Sequence, residues 1–175
     1  MTSRAQDATA EDTFFPAAGH DHVHCATGLL ARAEELCRAR GLNLSAPRRR
    51  VLDVLAGSHA PLGAYEIIDR LAETGSRPAP ISVYRALGFL TEAGLAHRIE
   101  RLNAYVACGS AAHGEAATLV FLICESCRQV GEVTAQEVGI DLDRLDAGLG
   151  FAAHSAAIEI TGLCGRCRSA SVPEA

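Results

Sequence analysis

Residues 82–108 read SVYRALGFLTEAGLAHRIERLNAYVAC, and this stretch decides the fold. Val83, Ala86, Leu87 and Leu90 recur at i, i+3, i+4 and i+7, the apolar stripe of an amphipathic helix. Ser82 is placed to cap that helix and Gly94 to close it. Two short runs follow, Leu95–Glu100 and Ala104–Cys108, joined at Arg101–Asn103, and they read as a hairpin. A capped helix followed by a two-stranded hairpin is the second half of a winged helix-turn-helix. In that arrangement the helix enters the major groove of DNA and the hairpin is the wing.

The upstream sequence supplies the first half. A helix is expected over Thr27–Arg40, with Leu29, Leu30, Ala33, Leu36 and Cys37 on one stripe and Gly41 as its stop. Ser45 is a good N-cap for a second helix that tolerates Pro47 in its first turn and buries Val51, Leu52 and Leu55. Arg48, Arg49 and Arg50 crowd its start. A third helix begins near Gly63, with Tyr65, Ile68 and Leu71 at helical spacing, and Pro78 and Pro80 then break the chain. Residues 1–26 read as a flexible tail that ends in His20, Asp21, His22, His24 and Cys25.

Beyond Cys108 the pattern changes. Ala117–Cys124 is a strongly apolar strand and Val130–Val133 a second one. Thr134 with Glu137 forms a capping box that opens a helix with Val138, Leu142 and Leu145 inward, ended by Gly150. Ala152–Gly162 is a third strand. The expected class is α+β: a winged helix-turn-helix domain over 27–100, its wing reaching about 108, and a small α/β domain over 109–168, followed by a tail at 169–175. Three strands and one helix are too few to be very stable alone, so a metal and a partner subunit are expected to help.

Composition bounds the function. The chain has 175 residues, 49% of them hydrophobic, enough for one ordinary domain or two small ones. No apolar run approaches a membrane span, and Met1–Pro16 is polar and acidic, without the apolar core of a secretory signal. A cytoplasmic location without a membrane partner is expected. The net charge of −5 argues against non-specific coating of nucleic acid, but it is unevenly spread. Ten Arg against eight Asp and Glu over Thr27–Glu100 give +2, and five against nine over Arg101–Ala175 give −4. A mildly basic head on an acidic body fits a DNA-reading head on a body that does not touch DNA.

Seven cysteines in a reducing compartment point to metal ligands or buried small residues before disulfides. Cys124-x-x-Cys127 and Cys164-x-x-Cys167, each just after an expected strand, can bring four thiolates around Zn²⁺ as a structural site. A redox role would need a CxxC at a helix start in a βαβ context, which is absent. A zinc enzyme would need an open metal position beside a base. HExxH is missing, and the deaminase pattern suggested by His113-Gly-Glu115 is incomplete, because no proline precedes Cys124. The chain is not expected to be an enzyme or to take a small-molecule substrate. His97 and Cys108 fall on facing strands of the wing, His113 and Glu115 in the loop that follows, and Glu132 five residues past Cys127. Spacing alone leaves open whether they form a second metal site or are a surface histidine, a core thiol and solvated carboxylates.

Several stretches resemble the ferric uptake regulator family, and within it the zinc uptake regulator branch. They are Ser45-Ala-Pro-Arg-Arg-Arg-Val-Leu, Gly63-Ala-Tyr-Glu-Ile, Ser82-Val-Tyr-Arg-Ala-Leu, His97-Arg-Ile-Glu with Asn103-Ala-Tyr-Val-Ala-Cys108, and the two CxxC pairs, the second preceded by Glu159-x-x-Gly162-Leu. The similarity runs from about Leu29 to Arg168, and the cysteine at 108 tilts it towards zinc. The resemblance implies a homodimeric repressor of zinc-uptake genes with two zinc sites per subunit, bound to double-stranded operator DNA. It implies a regulatory zinc on His97, Cys108, Glu132 and one residue of the loop after Cys108. That residue is His113, with Glu115 the alternative, because the loop departs from the His-x-His of relatives. His154 is shifted by one or two positions from a family histidine and is not taken as a ligand. The resemblance points to Tyr65, Ser82, Tyr84 and Arg85 as DNA contacts. Tyr65 can equally be core, and Arg48, Arg49 and Arg50 can be phosphate contacts or a solvated helix start. Competing readings are a relative that senses iron and a zinc buffer built on His20, His22, His24 and Cys25.

Overall fold

Helical periodicity and hairpin alternation both hold in the computed structural model of the chain, which describes residues 15, 22–58, 60–109, 118–142, 148–151 and 156–170. Four helices come first: α1 (His22–Ala39), α2 (Ala46–Ala56), α3 (Ala64–Glu73) and α4 (Pro80–Glu92). Their apolar stripes converge in one core that includes Leu29, Ala33 and Cys37 of α1, Val51, Leu52 and Leu55 of α2, Ile67, Ile68 and Leu71 of α3, and Val83, Leu87 and Leu90 of α4. Cys37 is thus a packing residue, and its burial raises the thiol's pKa.

Two helix starts differ from the expectation. α1 begins at His22, not Thr27. Residues 22–26 contain neither glycine nor proline, and Ala26 already packs on the helical core, so the last residues of the expected tail are helical. α4 begins at Pro80 with Ala79 as its N-cap, so Ser82 lies inside the first turn instead of capping it. The physical reason is that proline suits the first helical position: its missing N–H would go unpaired there, and its φ is preset. Ser45 does occupy the N-cap of α2, but its side chain makes no capping hydrogen bond. At α3 the Glu66 carboxylate accepts from the Gly63 N–H at 2.7 Å. Gly94 closes α4 as expected, at φ +70, with Leu95 N–H donating to Leu90 O and Gly94 N–H to Thr91 O.

The wing is the antiparallel pair β1 (Ala96–Ile99) and β2 (Ala104–Ala107), with His97 opposite Val106. A single 3₁₀ turn, Glu100–Leu102, joins them, and Asn103 takes the left-handed conformation at φ 46. Leu62 adds a rung by exchanging two 2.9 Å hydrogen bonds with Tyr105. Side chains alternate across a strand. Ala96, Tyr105 and Ala107 therefore pack on the helical core, while Ile99 and Val106 turn outward against a second sheet.

That sheet contains β3 (Leu119–Cys124), β4 (Val130–Thr134) and β5 (Ile158–Gly162) in the order β4-β3-β5, antiparallel on the first side and parallel on the second. Phe121, Ile123 and Val130 meet Ile99 and Val106 of the wing. Val120, Val133 and Ala135 form the core of the opposite face. A short helix, Gly165–Ala170, follows β5. The Thr134–Glu137 box forms, with Thr134 N–H donating to the Glu137 carboxylate at 2.6 Å, but residues 135–139 form a turn, and among the described residues after it helix is seen at 148–149, directly before Gly150 at φ +64. Gly139, at φ +72, closes the turn after Ala135, with Ile140 N–H donating to Ala135 O. Val138, expected inward, is 42% exposed, while Leu145 and Ala152–Ser155 lie outside the described residues. Among the described residues no helix is long and apolar enough to cross a membrane.

Leu87 sits at the centre of the helical core with no exposed surface. Leu87→Ala is expected to cost about 2–5 kcal/mol of stability, measured by urea unfolding of the metal-loaded protein. A loss below about 1 kcal/mol would show that α4 is not packed as described.

Candidate metal centres and nucleic-acid interface

The two CxxC pairs meet because β3 and β5 run parallel and end together. Cys124 closes β3 opposite Gly162 of β5, and Cys164 follows two residues later. Glu125 N–H donates to Gly162 O at 2.8 Å, which ties the two exits. Arg128, left-handed at φ 61, turns the loop back so that its N–H donates to Cys124 O. One sulfur from each of Cys124, Cys127, Cys164 and Cys167 lies within 4.8 Å of all the others. The Cys127 and Cys164 sulfurs are 3.9 Å apart. Tetrahedral zinc with four sulfurs spaces them about 3.8 Å apart, so the donor set fits that ion in chemistry and in size.

Burial opposes ionisation of Cys124, Cys127 and Cys164. At Cys124 it is outweighed by N–H groups of Cys164, Cys127 and Ser126 directed at the sulfur, and the pKa falls to about 6. At Cys127 burial and the neighbouring sulfurs push the pKa up to about 12, and burial likewise raises Cys164.

A second donor group spans the wing and the second sheet. His97 and Cys108 belong to the outward face of the wing, because Cys108 extends β2 by donating its N–H to Leu95 O at 3.0 Å. Glu132 stands on β4 directly across from Phe121. The His97 ring packs on Phe121, with centroids 5.2 Å apart, which brings the imidazole alongside that carboxylate. Donor atoms of His97, Cys108 and Glu132 all lie within 4.8 Å of one another, and all three residues are half-buried. Imidazole, thiolate and carboxylate make a donor set that zinc accepts, with a fourth position left to be supplied. His113 and Glu115, the expected sources, lie outside the described residues, as do the side chains of His20, His22, His24 and Cys25 and the whole of His154. Gly109 reinforces the cluster: its N–H donates to Glu132 at 3.2 Å and its carbonyl accepts from Arg32 of α1 at 3.3 Å. Residue order alone gives no role to Phe121 or Arg32, and marks Glu159 solely as part of the Glu159-x-x-Gly162-Leu stretch before the second CxxC.

The expected DNA-contact residues lie on exposed helix faces. Tyr65 is 65% exposed at the start of α3, which removes its reading as core, and Tyr84 is 45% exposed on α4. Ser82 and Arg85 are exposed on the same helix, opposite its buried stripe. Among the described residues Arg85 makes no ion pair, so its guanidinium is available to donate two hydrogen bonds to a guanine edge. The Arg48–Arg50 run is engaged within the protein. Arg48 lies 3.6 Å over the Phe89 ring, Arg49 pairs with Glu34, and Arg50 donates to Leu71 O at 3.1 Å.

A winged helix with an exposed tyrosine–arginine face, joined to a sheet that carries two metal-donor clusters, defines the class: a metal-binding winged-helix protein. The family described as "Ferric uptake regulator family" matches residues 39–161. This chain belongs to the ferric uptake regulator family. It is 37% identical over 139 residues to the Zinc uptake regulation protein of Escherichia coli (strain K12), a match covering 79% of this chain and 81% of that one. It is similar to a solved structure described as "Zinc Uptake Regulator Complexed With Zinc AND DNA", with TM-score 0.75 and 35% identity, covering 83% of this chain and 96% of that one. It is also similar to the "holo XcZur" crystal structure, with TM-score 0.68 and 35% identity over 81% of this chain and 98% of that one.

Coordination requires thiolates, so filling the four-cysteine site must drive protons off Cys127 and Cys164. Zinc affinity of the stripped site is expected to fall steadily as pH drops from 8 to 6, with proton release on binding, both read by chelator competition in weakly buffered solution. An affinity independent of pH would contradict the donor assignment.

Proposed function

We propose that the chain is a zinc-responsive transcriptional repressor that binds operator DNA as a homodimer when the His97–Cys108–Glu132 site is filled, and so controls zinc-uptake genes. The observation that supports this most directly is that one donor cluster draws two residues from the wing and one from the second sheet. Cys124, Cys127, Cys164 and Cys167 are its structural site, and His97, Cys108 and Glu132, with His113 or Glu115 from the following loop, are its regulatory site. The similar zinc uptake regulator solved with zinc and DNA points the same way.

The coupling follows from geometry. His97 and Cys108 are rigidly joined to α4, because the other face of their hairpin is buried in the helical core. Glu132 is joined to the sheet that we assign to the dimer. These three side chains meet only at one angle between wing and sheet, and that angle sets the separation of the two α4 helices in a dimer. Zinc, when bound, supplies the bonds that hold imidazole, thiolate and carboxylate at that angle. Half-sites on DNA demand a matching separation. DNA and metal therefore favour the same state, and each raises affinity for the other. Arg85 and Tyr84 read base edges, Tyr65 and Ser82 support them, and Arg48 and Arg49 are phosphate contacts of second rank, since each already has a partner inside the protein.

We assign the chain to the cytoplasm and read it as a regulator without catalytic activity. The cysteine at 108 favours zinc over iron, since a soft thiolate suits zinc.

Operator binding under a zinc titration, paired with metal content, tests the proposal. Cys108→Ser should leave a folded dimer holding one zinc per subunit and remove the zinc-dependent part of DNA affinity. A variant that still responds to zinc as the native protein does would overturn the regulatory site. Arg85→Ala should weaken specific binding by about 1–3 kcal/mol while both zinc ions are retained; undiminished operator binding would remove α4 from the reading role.

A further inference from the structure

Glu132, Phe121 and Glu159 stand side by side on β4, β3 and β5, since Phe121 is the register partner of both carboxylates. They therefore share one face of the sheet, the face on which the wing packs. Neighbouring strands are about 4.8 Å apart, so the two carboxylates bracket the aromatic ring at a span of about 10 Å. Glu132 joins the donor cluster at one end of the row. At the other end Glu159 accepts the Glu100 N–H at 2.6 Å and the Arg101 N–H at 3.1 Å. These are the first two amides of the 3₁₀ turn at the tip of the wing, which no 3₁₀ hydrogen bond can satisfy from within. The contact joins residues 59 and 58 positions apart and links wing to sheet without metal.

We propose that Glu159 is a positioning residue for the regulatory metal site, the fixed pin about which the wing closes on that site. This rests on the regulatory role assigned to His97, Cys108 and Glu132. With Glu159 seated on the turn, one end of the wing is held against the sheet, and the remaining freedom is a swing that brings His97 and Cys108 towards Glu132. Ile99, Val106, Phe121, Ile123 and Val130 fill the space between pin and metal site with apolar contacts. A charged acceptor on two amides is stronger than a neutral one. Its loss lets the wing visit angles at which the three donors are apart, and metal affinity falls by the fraction of time so spent. Glu159 is two strands away from Glu132 and outside both donor groups, so the change reaches the metal only through the angle.

The test is zinc affinity at the second site of the full-length protein, with the four-cysteine site already filled, measured by chelator competition in the absence of DNA. Glu159→Ala should weaken second-site binding about tenfold, with the first zinc retained. Glu159→Gln keeps an acceptor but loses the charge and should fall between alanine and the native protein. That graded rescue separates positioning from a general loss of stability, which would release the first zinc as well. Second-site affinity equal to native in Glu159→Ala overturns the proposal. Should that variant fail to fold, native affinity in Glu159→Gln overturns it instead. If the native protein takes up no second zinc, the regulatory site itself has failed, a result distinct from an unchanged Glu159 variant.

Discussion

Side chains on a hairpin must alternate, and in this protein that constraint gives each face of the wing a separate task. Ala96, Tyr105 and Ala107 anchor the hairpin in the helical core, leaving His97, Ile99, Val106 and Cys108 to face the second sheet. Everything that joins the two halves passes across this outward face. Ile99 and Val106 supply the apolar contact, His97 and Cys108 the donor atoms, and the turn at the tip offers two amides to Glu159. A shift of one residue in the pairing of β1 and β2 would put His97 and Cys108 on opposite faces of the hairpin. Leu62 and the Cys108 amide, bonded to opposite ends of the hairpin, oppose such a shift.

The second sheet is small, and its stability is concentrated where its strands end. Parallel pairing of β3 with β5 places Cys124 beside Gly162, so both CxxC turns leave the sheet from one edge. A metal there staples residues nearly forty positions apart and restrains the chain between them. The same sheet presents Glu132, Phe121 and Glu159 in one row to the wing. The four-cysteine cluster thus depends on the pairing of β3 with β5, and the place of Glu132 beside His97 and Cys108 on the pairing of β3 with β4.

Much of this was legible in residue order. The stripe Val83, Ala86, Leu87, Leu90 marks α4, and each of its members is buried. The two CxxC pairs announce a four-sulfur site because two thiols three positions apart in a tight turn already share half a tetrahedron. Other features were misread where two local signals competed. Pro80 reads as a breaker but is the first residue of α4, since the same fixed φ that ends one helix begins another. Thr134 and Glu137 form their box, but Gly139 closes it as a turn where a helix was expected.

Sequence alone therefore determined the periodicity of the elements and the chemistry of the donors, because both depend on neighbours along the chain and on side-chain type. Tertiary structure decided which donors meet. His97 and Cys108 are paired by hairpin register, but Glu132 joins them only through the packing of Phe121 under the His97 ring, a contact between residues far apart in sequence. Glu159 was the least legible of all. Its partners are backbone amides, which every residue but proline carries, so no pattern of residue types marks where such a carboxylate will land. Only the crossing of wing and sheet selects the amides of Glu100 and Arg101.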